Sequence, residues 1–215
     1  MRTTILDTAS KAARTSTFAS ALAGLAILAT SGAATALPAF TVASYDAGPS
    51  QPIQGWIDFC RSYPGECVVD RSEPEVVRLD AATWRTVLDV NERVNAAVRP
   101  ATDWELYGVA DLWTFPVNGS GDCEDYQLLK RNLLVQAGLP RRAMRMTVVI
   151  DEKNEGHAVL MLRTDRGDFV LDNKTNAVLP WHDTGYVYVK REGSHGAQWT
   201  SLGHVRSPVA TANRN

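Results

Sequence analysis

Two stretches of helical periodicity come before a run of short apolar segments separated by turn signals, and that order most limits the folds open to this chain. Over residues 80–99, Trp84, Val87, Leu88, Asn91, Val94 and Val98 recur at the spacing of one helix face, and Pro100 stops the pattern. Asn91 is a polar break in that stripe. A second helix is expected over residues 123–137. Its inward stripe is Tyr126, Leu129, Leu133, Leu134 and Ala137, and Gly138 and Pro140 end it. Strands are expected at 144–150, 157–164, 169–172 and 186–190. Helices first and hairpin-linked strands after argue for an α+β domain with an antiparallel sheet. If Arg166 and Gly167 form the turn between the second and third strands, Met161 faces Asp172. His157 then lies four residues farther along the same face, and a bend, a bulge or another register is needed to bring it to Asp172.

The ends of the chain read differently from its middle. Residues 1–36 fit a removable export signal. Arg2, Lys11 and Arg14 are basic, residues 18–30 are small and apolar, and Ala34-Thr35-Ala36 is a small-x-small cleavage site. The apolar run is short for a membrane span, and an uncleaved anchor is the alternative. Residues 37–54, with Pro38, Gly48, Pro49 and Pro52, read as a linker, 55–192 as one folded domain, and 193–215 as a loose polar tail. The 22 Lys and Arg nearly balance 24 Asp and Glu without a basic block, which argues against nucleic acid or an anionic membrane as partner. Cys60 and Cys67 flank a Pro64-Gly65 turn, suited to a small disulfide loop in an oxidising compartment. Two buried thiols are the alternative. No CxxC or histidine cluster favours zinc. If Cys60 and Cys67 pair, Cys123 is left over and needs a reason.

That reason is chemical. A nucleophilic thiol must ionise, and a helix N-terminus together with a neighbouring imidazolium favours the thiolate. Cys123 follows a Gly-rich turn at the expected start of a helix, where the first N–H groups lack intrahelical acceptors and can also hold an oxyanion. His157 opens a strand after a polar connection, and Asp172 closes the returning strand. A carboxylate on Nδ1 would set the tautomer of the imidazole. His182, in a turn, and His195 and His204, in the tail, are weaker partners. Taken singly, each of these residues has an ordinary structural reading. The aromatic stretch holding Trp104, Tyr107, Trp113 and Phe115 reads as a loop packed on the core, with a cleft wall as the second reading.

Gly121-Asp122-Cys123-Glu124-Asp125-Tyr126, then Gly156-His157-Ala158-Val159-Leu160, then Val170-Leu171-Asp172-Asn173 resemble the bacterial transglutaminase-like cysteine peptidases. The best-known members of that family are LapG-type periplasmic proteases that clip surface adhesins. The resemblance runs from about Trp56 to Arg191. It implies a papain-like, transglutaminase-like fold, a periplasmic location and a protein substrate such as an adhesin. It also implies a nucleophile at Cys123, a base at His157 and an orienting acid at Asp172. It further implies calcium held by Asp122 and Glu124. The plain alternative for those two is an N-cap and a first-turn acid. Calcium takes six to eight oxygens, so Asp125, Asp111, backbone or water would have to complete its shell. Acyl transfer to an amine uses the same triad, and a non-catalytic binding module would keep only the fold.

Overall fold

The computed structural model describes residues 36–203 apart from 117 and 197. Most of the expected export signal and the end of the expected tail lie outside the described residues. In chain order the elements are β1 (Pro49–Ser50), α1 (Gln54–Ser62), α2 (Ala81–Ala97), β2 (Arg99–Pro100), α3 (Asp103–Tyr107), β3 (Ser120–Gly121), α4 (Cys123–Gln136), β4 (Met144–Ile150), β5 (Gly156–Thr164), β6 (Gly167–Leu171), β7 (Leu179–Pro180), β8 (Val187–Glu192) and β9 (Trp199–Ser201). Seven strands form one sheet in the order β1-β9-β8-β4-β5-β6-β7, and each neighbouring pair is antiparallel. The α+β expectation therefore holds. β2 and β3 form a separate parallel pair.

Asp80 starts α2 by accepting a hydrogen bond from the Thr83 N–H at 2.7 Å. Trp84, Val87, Val90 and Val94 bury one face of the helix. The polar break in that face has a purpose. Asn91 donates to the carbonyls of Thr175 and Asn176, and Asn95 donates to those of Asp172 and Thr175. These bonds hold the loop that follows β6. α4 is buried over most of its length and lies across β5 and against α2. The core on this side of the sheet includes Trp84, Leu128, Leu134, Met146, Leu160 and Phe169. Each such side chain contributes roughly 1.5–3 kcal/mol on burial. Cys60 and Cys67 form a disulfide that closes the turn after α1.

Three expectations about the chain's course are corrected. Residues 37–54 are not a loose linker. They hold β1 and the start of α1, and Ser44 is buried against the other face of the sheet. There its N–H and Oγ both donate to Asp168, at 2.9 and 2.6 Å, while Arg191 donates to Ser44 and Asp46. Backbone and side-chain hydrogen bonds to Arg166, Asp168, Trp181 and Ser201 hold this segment as a strap rather than slack chain. Residues 193–203 are not wholly a tail either. Trp199–Ser201 pairs with β8, and Trp199 is buried edge-on against Trp56. One large aromatic outweighs the Gly- and Ser-rich surroundings. Finally, the β5–β6 turn is Asp165 and Arg166, because Thr164 faces Gly167 and Leu160 faces Leu171. Gly167 takes φ 105°, and the Thr164 hydroxyl bonds to its carbonyl at 2.7 Å. This register is two residues shorter than the expected one. It makes His157 and Asp172 diagonal neighbours on one face, and no bulge between β5 and β6 is needed.

Candidate active site

Cys123 is the first residue of α4, and a tight backbone approach delivers it there. Gly119 has φ 69°, and a Cβ at Gly121 would collide with the Asp125 side chain. The Cys123 sulfur accepts from the Ala158 N–H at 3.3 Å, and its thiol donates to Glu124 Oε2 at 3.0 Å. The first contact ties the helix start to β5 beside His157. Cys123 and His157 line one cleft of about 560 Å³, with Thr102, Asp122, Asp151, Lys153, Glu155, Gly156, Asn173 and Lys174. An adjoining cleft reaches Thr102, Glu105, Gly121 and Cys123. The aromatic stretch is thus divided in role. Trp113 is core, while Trp104, 63 % exposed, stands on α3 between the cleft-lining residues Thr102 and Glu105.

His157 and Asp172 are brought together. The imidazole Nε2 lies 2.9 Å from Asp172 Oδ1, and both side chains are buried. The carboxylate was expected on Nδ1. It is on Nε2, because the ring's far nitrogen spans the diagonal between the two strands. Burial works to raise the Asp172 pKa, but the hydrogen bond and charge of His157 and the Tyr186 hydroxyl prevail and bring it to about 2.

The residues flanking Cys123 are strongly perturbed. Burial first, then neighbouring carboxylates, push Asp122 up to about 7 and Asp125 up to about 8, and raise Glu124 well above its usual range. Burial, then Glu124 and Asp122, likewise push the Cys123 thiol well up. Asp122 occupies the N-cap position of α4 but makes no capping bond there. Its Oδ2 accepts instead from the Asp103 N–H at 3.2 Å. Asp103, Asp122 and Glu124 each place an oxygen within 4.8 Å of the others. Asp103 Oδ1 and Asp122 Oδ1 are buried with no hydrogen-bond partner among the described residues. Buried, converging carboxylate oxygens are the donor set of a hard cation, so these residues fit calcium.

Four contributors escaped the sequence reading. Asp103 joins the acidic cluster, and burial raises it to about 6. The Thr102–Glu105 capping box was a legible helix start that would have flagged it. Tyr186 donates to Asp172 Oδ2 at 2.6 Å, Lys174 donates its N–H to Oδ1 at 3.1 Å, and Asn95 holds the Asp172 carbonyl. No local pattern marks these three.

A thiol at a buried helix start, opening into the same cleft as a carboxylate-held imidazole, on helices backed by an antiparallel sheet, is the make-up of a cysteine peptidase. The model of the bacterial transglutaminase-like cysteine proteinases matches residues 46–207, and the chain belongs to that family. It is a cysteine peptidase with the transglutaminase-like fold. Solved structures of Legionella pneumophila LapG are similar at 25 % identity. The calcium-bound form has a TM-score of 0.49 and covers 59 % of this chain and 74 % of its own. The EGTA-treated form has a TM-score of 0.47 and covers 55 % and 67 %. No curated protein sequence matches significantly.

Proposed function

We propose that the chain is an exported cysteine endopeptidase that cuts a protein substrate through Cys123, His157 and Asp172. The observation that carries this is the shared cleft of Cys123 and His157, with His157 Nε2 held by Asp172 at 2.9 Å. In the reaction His157 takes the thiol proton, and the Cys123 sulfur attacks the scissile carbonyl carbon. The N–H groups at the start of α4 stabilise the oxyanion. His157 then returns the proton to the leaving amine, and the thioester remains. Water, deprotonated by His157, hydrolyses the thioester and restores the thiol. Asp172 keeps the imidazole oriented and stabilises its charged form.

Asp103, Asp122 and Glu124 would hold calcium beside the nucleophile. When bound, the metal supplies positive charge that offsets the carboxylates which otherwise oppose thiolate formation. The unpartnered oxygens of Asp103 and Asp122, the convergence of all three carboxylates and their raised pKa values support this. The sequence of residues 1–36 supports export to the periplasm, in keeping with a disulfide between Cys60 and Cys67. No helix among the described residues is long and apolar enough to cross a membrane. A surface adhesin is the substrate we expect, by likeness to the LapG-type proteases. The test is iodoacetamide labelling with calcium present, followed by peptide mapping. Rapid labelling of Cys123 that His157→Ala slows strongly is expected. Slow labelling indifferent to His157 would mean a binding module that kept only the fold.

A further inference from the structure

We infer that Tyr186 is a positioning residue of this site: its hydroxyl and ring together lock the Asp172 carboxylate against His157 and close the pair off from behind. The inference rests on the triad reading and extends it. Asp172 Oδ1 is occupied by His157 Nε2 at 2.9 Å and by the Lys174 N–H at 3.1 Å. Donors on one oxygen alone leave a carboxylate free to swing about its Cβ–Cγ bond. Tyr186 supplies the donor on the other oxygen, at 2.6 Å, and so fixes the carboxylate plane. The same residue also touches the imidazole. The His157 and Tyr186 ring centroids are 5.6 Å apart at 75°, an edge-to-face contact that restrains ring rotation.

Tyr186 also stands at the rear of the site. A cavity of about 290 Å³ is lined by Asp172, Tyr186, Val170, Thr175, Leu179 and Thr184, among others. It lies apart from the cleft that holds Cys123 and His157. The phenol covers Asp172 Oδ2 on that side. Without it, water in the cavity would reach the carboxylate and weaken its hold on the imidazole. Tyr186 is itself held. Its N–H donates to Thr184 Oγ1 at 3.3 Å, and the Lys174 ammonium sits 5.7 Å from its ring centroid. Burial first, then the hydrogen bond to Asp172, push its pKa above the usual tyrosine range, so it remains a donor.

Tyr188 is the natural comparison. It lies two residues on, and its hydroxyl pairs with Thr184 at 3.1 Å rather than with Asp172. The experiment uses the mature protein, calcium-loaded and ¹⁵N-labelled at histidine. It reads solvent exchange of the His157 Nε2 proton by NMR, iodoacetamide alkylation of Cys123, and thermal unfolding. Tyr186→Phe keeps the ring and loses the hydroxyl. Exchange should speed up and alkylation slow down, each by about three- to tenfold, within the reach of one lost bond to a charged group. Tyr188→Phe should leave both within about twofold, whatever it costs in stability. A folded Tyr186→Phe protein with unchanged exchange and alkylation would overturn the inference, and so would equal changes in Tyr188→Phe. Asp172→Asn separates the two claims. If it changes neither readout, the triad reading itself fails. If it changes both and Tyr186→Phe neither, only the role of Tyr186 fails.

Discussion

Replacing Asp172 by Asn should destabilise the fold in a way that depends on pH, and the size follows from the site. The Asp172 carboxylate is 3 % exposed, and its pKa falls from 3.8 to about 2 in the folded protein. That difference corresponds to about 2–3 kcal/mol of stability at neutral pH. Because the folded pKa is the lower one, this stability is present above the unfolded value near 4 and is lost as pH falls toward 2. About half of it is gone by pH 3. Asn cannot ionise, and its amide cannot receive the Tyr186 hydroxyl and the His157 N–H as the carboxylate does. The assay is urea unfolding of both proteins at pH 7, pH 5 and pH 3. The Asn variant should be less stable by about 2–3 kcal/mol at pH 7, equivalent to roughly 5–10 °C in Tm, and by about 1 kcal/mol less than that at pH 3. A penalty that stays constant or grows on acidification would refute the reasoning.

Other outcomes follow from the same structure. Calcium should raise the Tm of the wild-type protein and protect it against chelator-induced loss of activity, whereas Asp122→Ala and Glu124→Ala should abolish the calcium-dependent rise in differential scanning fluorimetry. Glu192 accepts from Trp56, Arg131 and the Met146 N–H at 2.7, 2.7 and 2.8 Å, so Glu192→Gln should cost about 3–5 kcal/mol in denaturant unfolding by stranding the buried Arg131 charge. Reducing the Cys60–Cys67 disulfide should lower stability by about 2–3 kcal/mol, the entropy of so short a loop, measured by unfolding with and without reductant.

The parts of the fold that were legible in the sequence are those set by local pattern. α2 and α4 announced themselves through their stripes and their stops, and β4 and β5 through apolar runs between turns. Cys123, His157 and Asp172 stood out because each begins or ends an element. Less was legible wherever long-range pairing overrides local composition. Trp199 is pulled into the sheet from a polar tract, and Ser44 is held by Asp168 and Arg191, more than 120 residues away in the chain. The β5–β6 register turned on whether Gly167 lies inside the turn or just after it, a one-position choice that moves the pairing by two residues. Tyr186, in the loop just before β8, and Asn95, on α2, reach Asp172 from distant parts of the chain, and nothing near them in sequence says so. The resemblance named Asp122 and Glu124 beside Cys123 as a calcium pair, but the third converging carboxylate, Asp103, arrives through α3 and its bond to Asp122.

Peptide-bond cleavage through Cys123 would show itself in what the protein does to its natural substrates. The mature protein and its Cys123→Ala variant are each incubated, with calcium, with the surface-protein fraction of the producing cells, and newly formed α-amino termini are labelled and sequenced. New termini, confined to one or a few surface proteins, should form with the wild-type protein and none with Cys123→Ala. The same termini from Cys123→Ala would contradict peptide-bond cleavage through Cys123. So would isopeptide cross-links without new termini, which would make the reaction acyl transfer to an amine.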